Sequence, residues 1–558
     1  MKTSYGALTL SRPSRNQRGR LGRMTPYAWF RLAKPLPSWD YRAFATEALM
    51  TIPLTERYAP KIRGVLSCFD RILLTGTLPD ICHPDAITLY LKSKGIKIFD
   101  YQKEWAKPRA EEIRSHAERV AKENSLPIEY VSKRNFRKED RVKQILESRG
   151  FAPGLVHIFS AIETCTEFRP WHDKPSGKTF LRRKDSKCLH YYFYFIDPDL
   201  GLCHLRIPTW APFRLQFYCN GHEILANQLR QKGVAFDARD NALIQIDDWK
   251  AAQELADTID VEALHQRLDD LVRRFCLPIV ERFPSGYHWS FMQVEYSTDV
   301  VFDRQAELAP IYDKLIRTAV HAVKAEDVAT FLGRKLTDRT SDEVGNRFET
   351  RIEGTRIRHH MGWAAIKMYD KHGLILRIET VCNDVSFFRH YRQVEHLDGS
   401  RTRKLAAMKK SIYSMHALRE VMAGANHRYL EFLSTLDDPT SGISNLDRIS
   451  QPTHKGDRSH RGFNLFTTVD QRVFEVLLKG QFNINGFRNR DLRAGLGNKP
   501  TQAARILARL RLHGLIEKIA RQSRYYLTPL GRAVAVAALG LRTFFLIPQL
   551  ASPLAWRC

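Results

Sequence analysis

The sequence lacks the marks of a secreted or membrane protein. Its nine cysteines are scattered over 558 residues and include no Cys-x-x-Cys pair, which argues against a disulfide framework and indicates a reducing cytosol. The most apolar stretch, residues 533–550, is interrupted by Arg542 and Pro548, whereas a membrane-spanning helix needs about 20 apolar residues. No apolar segment follows the N-terminal charges, as it would in a secretory signal. We therefore expect a cytoplasmic protein with no membrane partner.

Acidic residues are scarce relative to basic ones. Asp and Glu total 61 against 88 Lys and Arg, which gives a net charge of +27 and a pI near 9.8. The excess is concentrated at the two ends, since residues 1–49 carry a net +7 and residues 465–540 a net +9. A chain this basic favours an acidic partner, and nucleic acid is the first candidate.

The pattern of apolar, polar and breaker residues predicts a multidomain α+β protein. The predicted segments are a disordered basic segment at 1–49, an α/β domain with a β-meander at 50–220, a mainly helical region at 221–436 with a β-hairpin at 364–381, a polar linker at 437–462 and a C-terminal domain at 463–545. Because folded patterning begins only near residue 50, we expect translation to start at Met24 or Met50, and the alternative is a basic N-terminal arm that contacts phosphates.

The C-terminal domain carries the strongest pattern for nucleic-acid binding. Its sequence predicts helices at 468–479, 488–495 and 501–513, followed by a β-hairpin and a last helix. The apolar residues at the spacing of a packed face in the third helix are Ala503, Ile506, Leu507 and Leu510. The residues predicted on a second face, with side chains suited to base edges and phosphates, are Gln502, Arg505 and Arg509.

Three stretches of this domain, "RNRDLRAGLG", "PTQAARILARLRLHGLIEKI" and "RYYLTPLGR", together resemble a winged helix of the MarR type. The resemblance implies that the third helix enters the major groove of duplex DNA and that the wing contacts the backbone or minor groove. The DNA-binding residues that it implies here are Lys499, Gln502, Arg505, Arg509, Arg521 and Arg524. We expect sequence-specific DNA binding in gene regulation, a plasmid or a mobile element, with a homodimer through the C-terminal helix as a candidate assembly. A winged helix used for protein contacts is the structural alternative.

The stretch "IKMYDKHGLILRIE", residues 366–379, predicts a β-hairpin with a charged outer face. A loop at residues 371–373 would pair Met368 with Leu376 and Ile366 with Ile378. The alternation of side chains then places on the other face Lys367, Tyr369, Arg377 and Glu379. One interpretation is a half-buried sheet whose outer charges are balanced by cross-strand pairs.

The "YDK" strand followed by the "LRIE" strand also resembles the core of replication initiators of the rolling-circle kind. This resemblance implies a metal-dependent enzyme that nicks DNA or transfers a strand. A divalent cofactor, Mg²⁺ or Mn²⁺, is expected only if the protein is such an enzyme. The implied catalytic residues are Glu379 as a metal ligand, Lys367 beside it, and a nucleophile among Tyr369, Tyr391 and Tyr413. The chain departs from that family because it lacks a His-hydrophobe-His strand. It also shows no catalytic triad, no metal-ligand cluster and no cofactor fingerprint.

The aromatic run "HYYFYF", residues 190–195, leaves a third interpretation open. Sheets that display aromatic side chains stack single-stranded bases, and basic residues flank this run on both sides. The sequence therefore predicts a nucleic-acid-binding protein and leaves three alternatives: duplex DNA binding, metal-dependent DNA nicking or strand transfer, and binding of structured RNA.

Overall fold

The computed structural model describes residues 52–133, 135–335, 344–351, 354–437, 440–479, 482, 486–519, 523–547 and 550. In these residues helices and strands together form a mixed α and β structure, as the sequence predicts. Each helix among them is too short or too polar to span a bilayer. The segment predicted to be disordered, 1–49, and the predicted wing residue Arg521 lie outside the described residues.

The strands, in chain order, are β1 Ile62–Thr77, β2 Ile128–Tyr130, β3 Gly154–Asp173, β4 Lys178–Asp197, β5 Gly201–Pro208, β6 Leu215–Asn220, β7 Phe236–Ala238, β8 Leu243–Ile246, β9 His288–Phe302, β10 Val344–Arg351, β11 Gly354–Met361, β12 Ala364–Lys371, β13 Ile375–Cys382, β14 Arg389–Glu395, β15 Arg401–Ala407, β16 Thr453–Lys455, β17 Arg458–His460, β18 Ile516–Lys518 and β19 Tyr525–Leu527. The α-helices are α1 Leu54–Arg57, α2 Pro84–Ser93, α3 Lys107–Glu123, α4 Lys138–Arg149, α5 Gly221–Lys232, α6 Trp249–Asp257, α7 Val261–Val280, α8 Gln305–Ala322, α9 Ala325–Phe331, α10 Met415–Asp437, α11 Thr440–Ser450, α12 Thr468–Leu477, α13 Asn489–Leu496, α14 Pro500–Leu512 and α15 Pro529–Gly540.

Within the described residues, eleven strands form one sheet in the order β10-β11-β12-β13-β9-β1-β6-β5-β4-β3-β2. Neighbouring strands are antiparallel except for β2 and β3. Strand β1 pairs with β6 on one side and with β9 on the other. The domain boundary predicted at residue 220 is therefore wrong, because strands from both predicted domains share this sheet. The region predicted as mainly helical contributes the 15-residue strand β9, which the sequence analysis missed.

The two faces of this sheet differ in how they are covered. Helices α3, α7, α8 and α10 contribute to the large apolar core on the covered face, where Ile72, Phe217 and Val294 point. The opposite face, called here the partly covered face, has three smaller cores in the described residues, the smallest of which lies on β9 and β13. Leu66 of β1 packs there against α5 and α6, and Phe159 of β3 packs against α4. The polar side chains of the candidate site lie on this same face, on β1, β9, β12 and β13.

The aromatic run is part of the cores. All five of its aromatic side chains are buried. Phe193 and Phe195 stack on Phe275 of α7, with ring centroids 4.7 and 5.4 Å apart, and Tyr194 packs in the α4 core. The interpretation that this run stacks bases is wrong, because its rings are occupied by intramolecular packing.

The C-terminal elements begin and end close to the predicted residues, at α12, α13, α14, β18, β19 and α15. They surround their own apolar core, which includes Phe474, Leu492 and Leu507. The segment predicted as a polar linker, 437–462, instead contains helix α11 and the β16–β17 hairpin. This segment packs against the C-terminal part, because Ile449 of α11 belongs to the same core.

Candidate active site on the partly covered face

A β-bulge positions the first carboxylate of the site. Two residues of β1, Asp70 and Arg71, oppose the single residue Glu295 of β9. The bulge leaves Phe69 and Ile72 in the main core on either side and turns Asp70 towards the partly covered face, where it hydrogen-bonds with groups from other elements. Bulges of this kind re-aim side chains and are frequent beside active sites.

The β12–β13 hairpin supplies the next group of side chains. Its observed register pairs Met368 with Ile378, so the predicted pairing of Met368 with Leu376 is wrong by two residues. The loop starts one residue later than predicted because both His372 and Gly373 adopt positive φ angles. A shift of two residues leaves every side chain on its predicted face.

The charged face of the hairpin is mostly buried, with Lys367 and Tyr369 partly exposed. Lys367 lies opposite Glu379 and Tyr369 lies opposite Arg377, as the predicted faces require. The expectation of an outward, solvent-facing surface is wrong, because Arg377 and Glu379 are 0 and 1% exposed. Strand β9 lies beside β13 and places Asp299 directly opposite Arg377.

Three carboxylates from three strands meet at this position. Asp70, Glu295 and Glu379 each offer one oxygen, and these three oxygens lie within 4.8 Å of one another. Lys367 Nζ lies 3.1 Å from Glu379 Oε2 and 3.6 Å from Glu295 Oε1. The hydroxyl of Tyr369 donates a hydrogen bond to the same Glu379 oxygen at 3.3 Å. The other oxygen, Glu379 Oε1, is buried and accepts no hydrogen bond.

The electrostatics of Glu379 indicate a missing positive charge. Burial and, to a lesser extent, the neighbouring Glu295 carboxylate together raise the pKa of this carboxyl to about 8, although Lys367 acts in the opposite direction. The ionised form of this carboxyl is therefore disfavoured unless a cation lies beside its unpartnered oxygen. Clustered carboxylate oxygens are the ligands that Mg²⁺ and Mn²⁺ prefer, so a divalent cation fits the charge and the donor set.

A buried hydrogen-bond network fixes Asp70 in place. Asn220 Nδ2 donates to Asp70 Oδ1 at 3.1 Å, and Asn241 Nδ2 donates to the same oxygen at 2.6 Å. Arg377 Nη1 lies 3.4 Å from Asp70 Oδ2, while its Nε and Nη2 form a bidentate pair with Asp299 at 2.7 and 2.6 Å. Burial opposes ionisation of Asp70, but hydrogen bonding with His222 and the nearby cations hold its pKa well below the usual range. Asp70 is therefore ionised at neutral pH.

Cationic side chains flank the carboxylates on the β11 side. Arg358 lies directly opposite Lys367, and its Nε is buried without a hydrogen-bond partner. Arg347 of β10 lies opposite Arg358 and is exposed. On the other side, Glu163 neutralises Arg206, with which it forms a 3.0 Å ion pair. Two cationic side chains, Arg347 and Arg358, therefore lie side by side next to the cluster on β10 and β11.

Two predicted nucleophiles lie apart from this cluster. Tyr413 is in a 3₁₀ turn at Ile412–Ser414, is 54% exposed, and its hydroxyl contacts His265 Nδ1 at 2.8 Å. Tyr391 is an exposed residue of β14. Of the predicted catalytic residues, the structure brings together Glu379, Lys367 and Tyr369.

The predicted DNA-binding residues of the C-terminal part divide into two groups. Lys499, Gln502 and Arg505 are exposed at and after the start of α14, and Arg524 precedes β19 and is half-buried. Arg509 is buried, and the prediction that it shares the exposed face is wrong. Its guanidinium forms a bidentate ion pair with Asp470 of α12 at 2.7 and 2.9 Å.

Asp70 and Glu295 are the site residues that the sequence analysis missed. Each is an acidic residue inside a strand with apolar neighbours, in "CFDRI" and "QVEYS". Acidic residues are rarely buried without a partner, so the positions of Asp70 and Glu295 would have indicated a site once the strands were recognised.

Comparisons with protein-family models, curated proteins and solved structures find no match to this chain. The chemistry of the site is therefore inferred from its own residues.

Proposed function

We propose that the protein is a divalent-metal-dependent phosphodiesterase that acts on nucleic acid, with Asp70, Glu295 and Glu379 as the metal ligands. The observation that carries the proposal is the convergence of three carboxylate oxygens within 4.8 Å around a buried Glu379 Oε1 that lacks a partner. Structural carboxylates in a sheet would instead be expected to have each oxygen paired.

The neighbouring side chains suit phosphodiester hydrolysis. A divalent ion in this position would polarise a phosphoryl oxygen and activate a water molecule. In the reaction the water oxygen bonds to phosphorus, the bond from phosphorus to the leaving sugar oxygen breaks, and that oxygen takes up a proton. Lys367 and Arg358 are placed to attract the phosphate and to balance the charge that develops on its oxygens.

Nucleic acid is the substrate class that the charge of the molecule supports. The chain carries a net +27, and Arg347 and Arg358 lie opposite each other on β10 and β11, beside Lys367. The eight cysteines that the structure describes are free thiols, which supports a cytoplasmic location for the protein.

A second nucleic-acid contact is proposed for the C-terminal part. The order of α12, a bridge from Phe487 to Tyr525, α13, α14 and the β18–β19 hairpin is the order expected of a winged helix. Lys499, Gln502 and Arg505 are exposed on its third helix, which supports duplex DNA as its ligand. Dimerisation through α15 stays a prediction.

The test is a Glu379→Gln variant compared with wild type and with Glu254→Gln, a matched change at an exposed glutamate of α6. Mn²⁺ should raise the melting temperature of wild type and of Glu254→Gln but not of Glu379→Gln. Cleavage of plasmid DNA with Mg²⁺ or Mn²⁺ should fall about 100-fold or more in Glu379→Gln alone. Unchanged cleavage in Glu379→Gln, or no metal-dependent cleavage of DNA or RNA by wild type, would exclude the proposed enzyme. Duplex binding without cleavage would favour a regulatory DNA-binding protein.

A further inference from the structure

Strands β14 and β15 form a two-stranded ribbon, residues 389–407, separate from the main sheet. Its turn is closed by a hydrogen bond from His396 N to Ser400 O and by Asp398, which accepts hydrogen bonds from Ser400. Arg392 spans the two strands, because its Nε donates to the carbonyl oxygen of Ala407 at 2.9 Å. An isolated ribbon is only marginally stable in water, so these contacts give it a defined shape.

One face of this ribbon is exposed and basic. Its cross-strand pairs include Arg389 with Ala407, Tyr391 with Leu405, and Gln393 with Arg403. These side chains are all exposed. The ribbon carries five Lys and Arg residues against two acidic residues. Within the part of the chain that the structure describes, the cations of the ribbon with neither an ion pair nor a side-chain hydrogen bond are Arg389 and Arg403 on this face and Lys404, opposite Arg392, on the other face.

The base of the ribbon is fixed to the strands that carry the metal ligands. The chain enters it seven residues after Cys382, the end of β13. On leaving it, the carbonyl oxygen of Lys410 accepts a hydrogen bond from Phe291 N of β9 at 2.7 Å. Glu379 is three residues from the end of β13 and Glu295 is four residues from Phe291, distances of roughly 10 and 13 Å along a strand.

We propose that the β14–β15 ribbon enters the major groove of duplex DNA and positions that duplex over the carboxylate cluster. The major groove is about 12 Å wide and admits a two-stranded ribbon. Gln393 and Arg403 lie opposite each other on the exposed face, and amide and guanidinium groups are the ones that read adenine and guanine edges. The substrate is then duplex DNA and not duplex RNA, because the major groove of RNA is too deep and narrow for side chains to read.

The positioning role of the ribbon rests on the proposed function of the cluster, whereas its DNA contact does not. The test uses the full chain with Arg389→Ala, Arg403→Ala and Lys404→Ala combined, and measures affinity for a short DNA duplex over a range of salt concentrations in EDTA. The matched control removes three exposed lysines near or on α3, which contributes to the covered face: Lys103→Ala, Lys107→Ala and Lys122→Ala.

The ribbon variant should bind the DNA duplex about tenfold more weakly or worse, and its salt slope should fall by about 2, since Arg389 and Lys404 are available for phosphates and each phosphate contact contributes about 0.9. The control should match wild type, and any C-terminal contact is common to all three proteins. Equal salt slopes in the two variants, or the same loss of affinity for duplex RNA as for DNA, would overturn the proposal.

A second measurement separates this proposal from that for the carboxylate cluster. With Mn²⁺, a small diester such as bis(p-nitrophenyl) phosphate should be hydrolysed equally by wild type and by the ribbon variant, because it makes no groove contact. If wild type hydrolyses no diester while the ribbon variant still loses duplex binding, the metal centre fails and the DNA contact of the ribbon stands. Loss of small-diester hydrolysis in the ribbon variant would instead place one or more of these three cations in the reaction and overturn a groove-binding role.

Discussion

Lys367 lies directly opposite Glu379 in the β12–β13 hairpin, and its Nζ is 3.1 Å from Glu379 Oε2. The same ammonium group lies 3.6 Å from Glu295 Oε1. Lys367 is therefore the cation shared by two of the three proposed metal ligands. Its side chain is 12% exposed, so these charges interact with little screening by water.

Replacing Lys367 with Met should make the protein dependent on a divalent cation for its stability. In EDTA we expect a loss of about 3 kcal/mol in the free energy of unfolding, because the buried carboxylates lose their shared partner. Mn²⁺ should restore most of this loss, and hydrolysis should remain impaired. Urea unfolding with EDTA and with Mn²⁺ measures both effects, with Lys250→Met on the exposed face of α6 as the control. Equal stability of Lys367→Met and wild type in EDTA would contradict the role given to Lys367.

The Arg377–Asp299 pair predicts a specific dependence of stability on pH. Burial alone would raise the pKa of Asp299, but Arg377 and His222 outweigh it and lower the pKa to about 2. Because this value is below the unfolded value of 3.8, Asp299 stabilises the folded protein above about pH 4. That contribution, about 2 kcal/mol, should disappear as the pH falls from about 4 to about 2.

The Asp299→Asn variant tests this dependence. At neutral pH it should lose about 3 to 5 kcal/mol, since Arg377 is left buried without its bidentate partner. The difference in the free energy of unfolding between the variant and wild type should become smaller as the pH is lowered through 4. Urea unfolding midpoints at several pH values measure this difference. Asp247→Asn, at an exposed position, should behave as wild type throughout. A difference that stays constant with pH would contradict the assignment.

How far the site could be predicted depended on the range of its contacts. Side-chain alternation placed Lys367, Tyr369 and Glu379 on one face. The predicted register was wrong by two residues, and a shift of two residues leaves each side chain on the same face. The partners Asp70 and Glu295 come from strands separated from the hairpin by up to about 300 residues of chain, as in the pair Asp70–Arg377. No local pattern reports a pairing of that kind.

Strand β9 shows why the layout of the main sheet was missed. Its polar residues Glu295, Ser297 and Asp299 fall on one face, as they would in a strand exposed to water. In the structure that face is the candidate site, where Ser297 and Asp299 are buried and contact charged partners. Local helix patterns in the C-terminal part were easier to place, because each of those helices buries an apolar stripe in a nearby core.

Arg505 and Arg509 lie on the same helix and should have opposite roles. Arg509→Ala should lower the free energy of unfolding by about 3 kcal/mol, because the buried Asp470 loses its bidentate partner and keeps only the longer 3.7 Å contact with the exposed Arg461. Arg505→Ala removes an exposed side chain and should leave stability unchanged, while it weakens duplex binding by about 1 to 3 kcal/mol if this helix enters the groove. Thermal unfolding and duplex titration of both variants provide the comparison. Unchanged DNA binding in Arg505→Ala would remove the proposed role of α14.

Tyr369 decides between hydrolysis by water and covalent strand transfer. Its hydroxyl donates to Glu379 Oε2 at 3.3 Å, and burial together with that carboxylate raises the pKa of the phenol well above its ordinary value. A protonated, buried phenol is a poor nucleophile, so we expect Tyr369→Phe to retain cleavage within about tenfold of wild type. Wild type should form no covalent adduct with labelled DNA on a denaturing gel, and neither should Tyr413→Phe, the exposed control. An adduct present in wild type and in Tyr413→Phe but absent from Tyr369→Phe would establish strand transfer through Tyr369 and contradict hydrolysis by water. The three carboxylates would keep their proposed role as metal ligands, because strand transfer of this kind also needs a divalent metal ion.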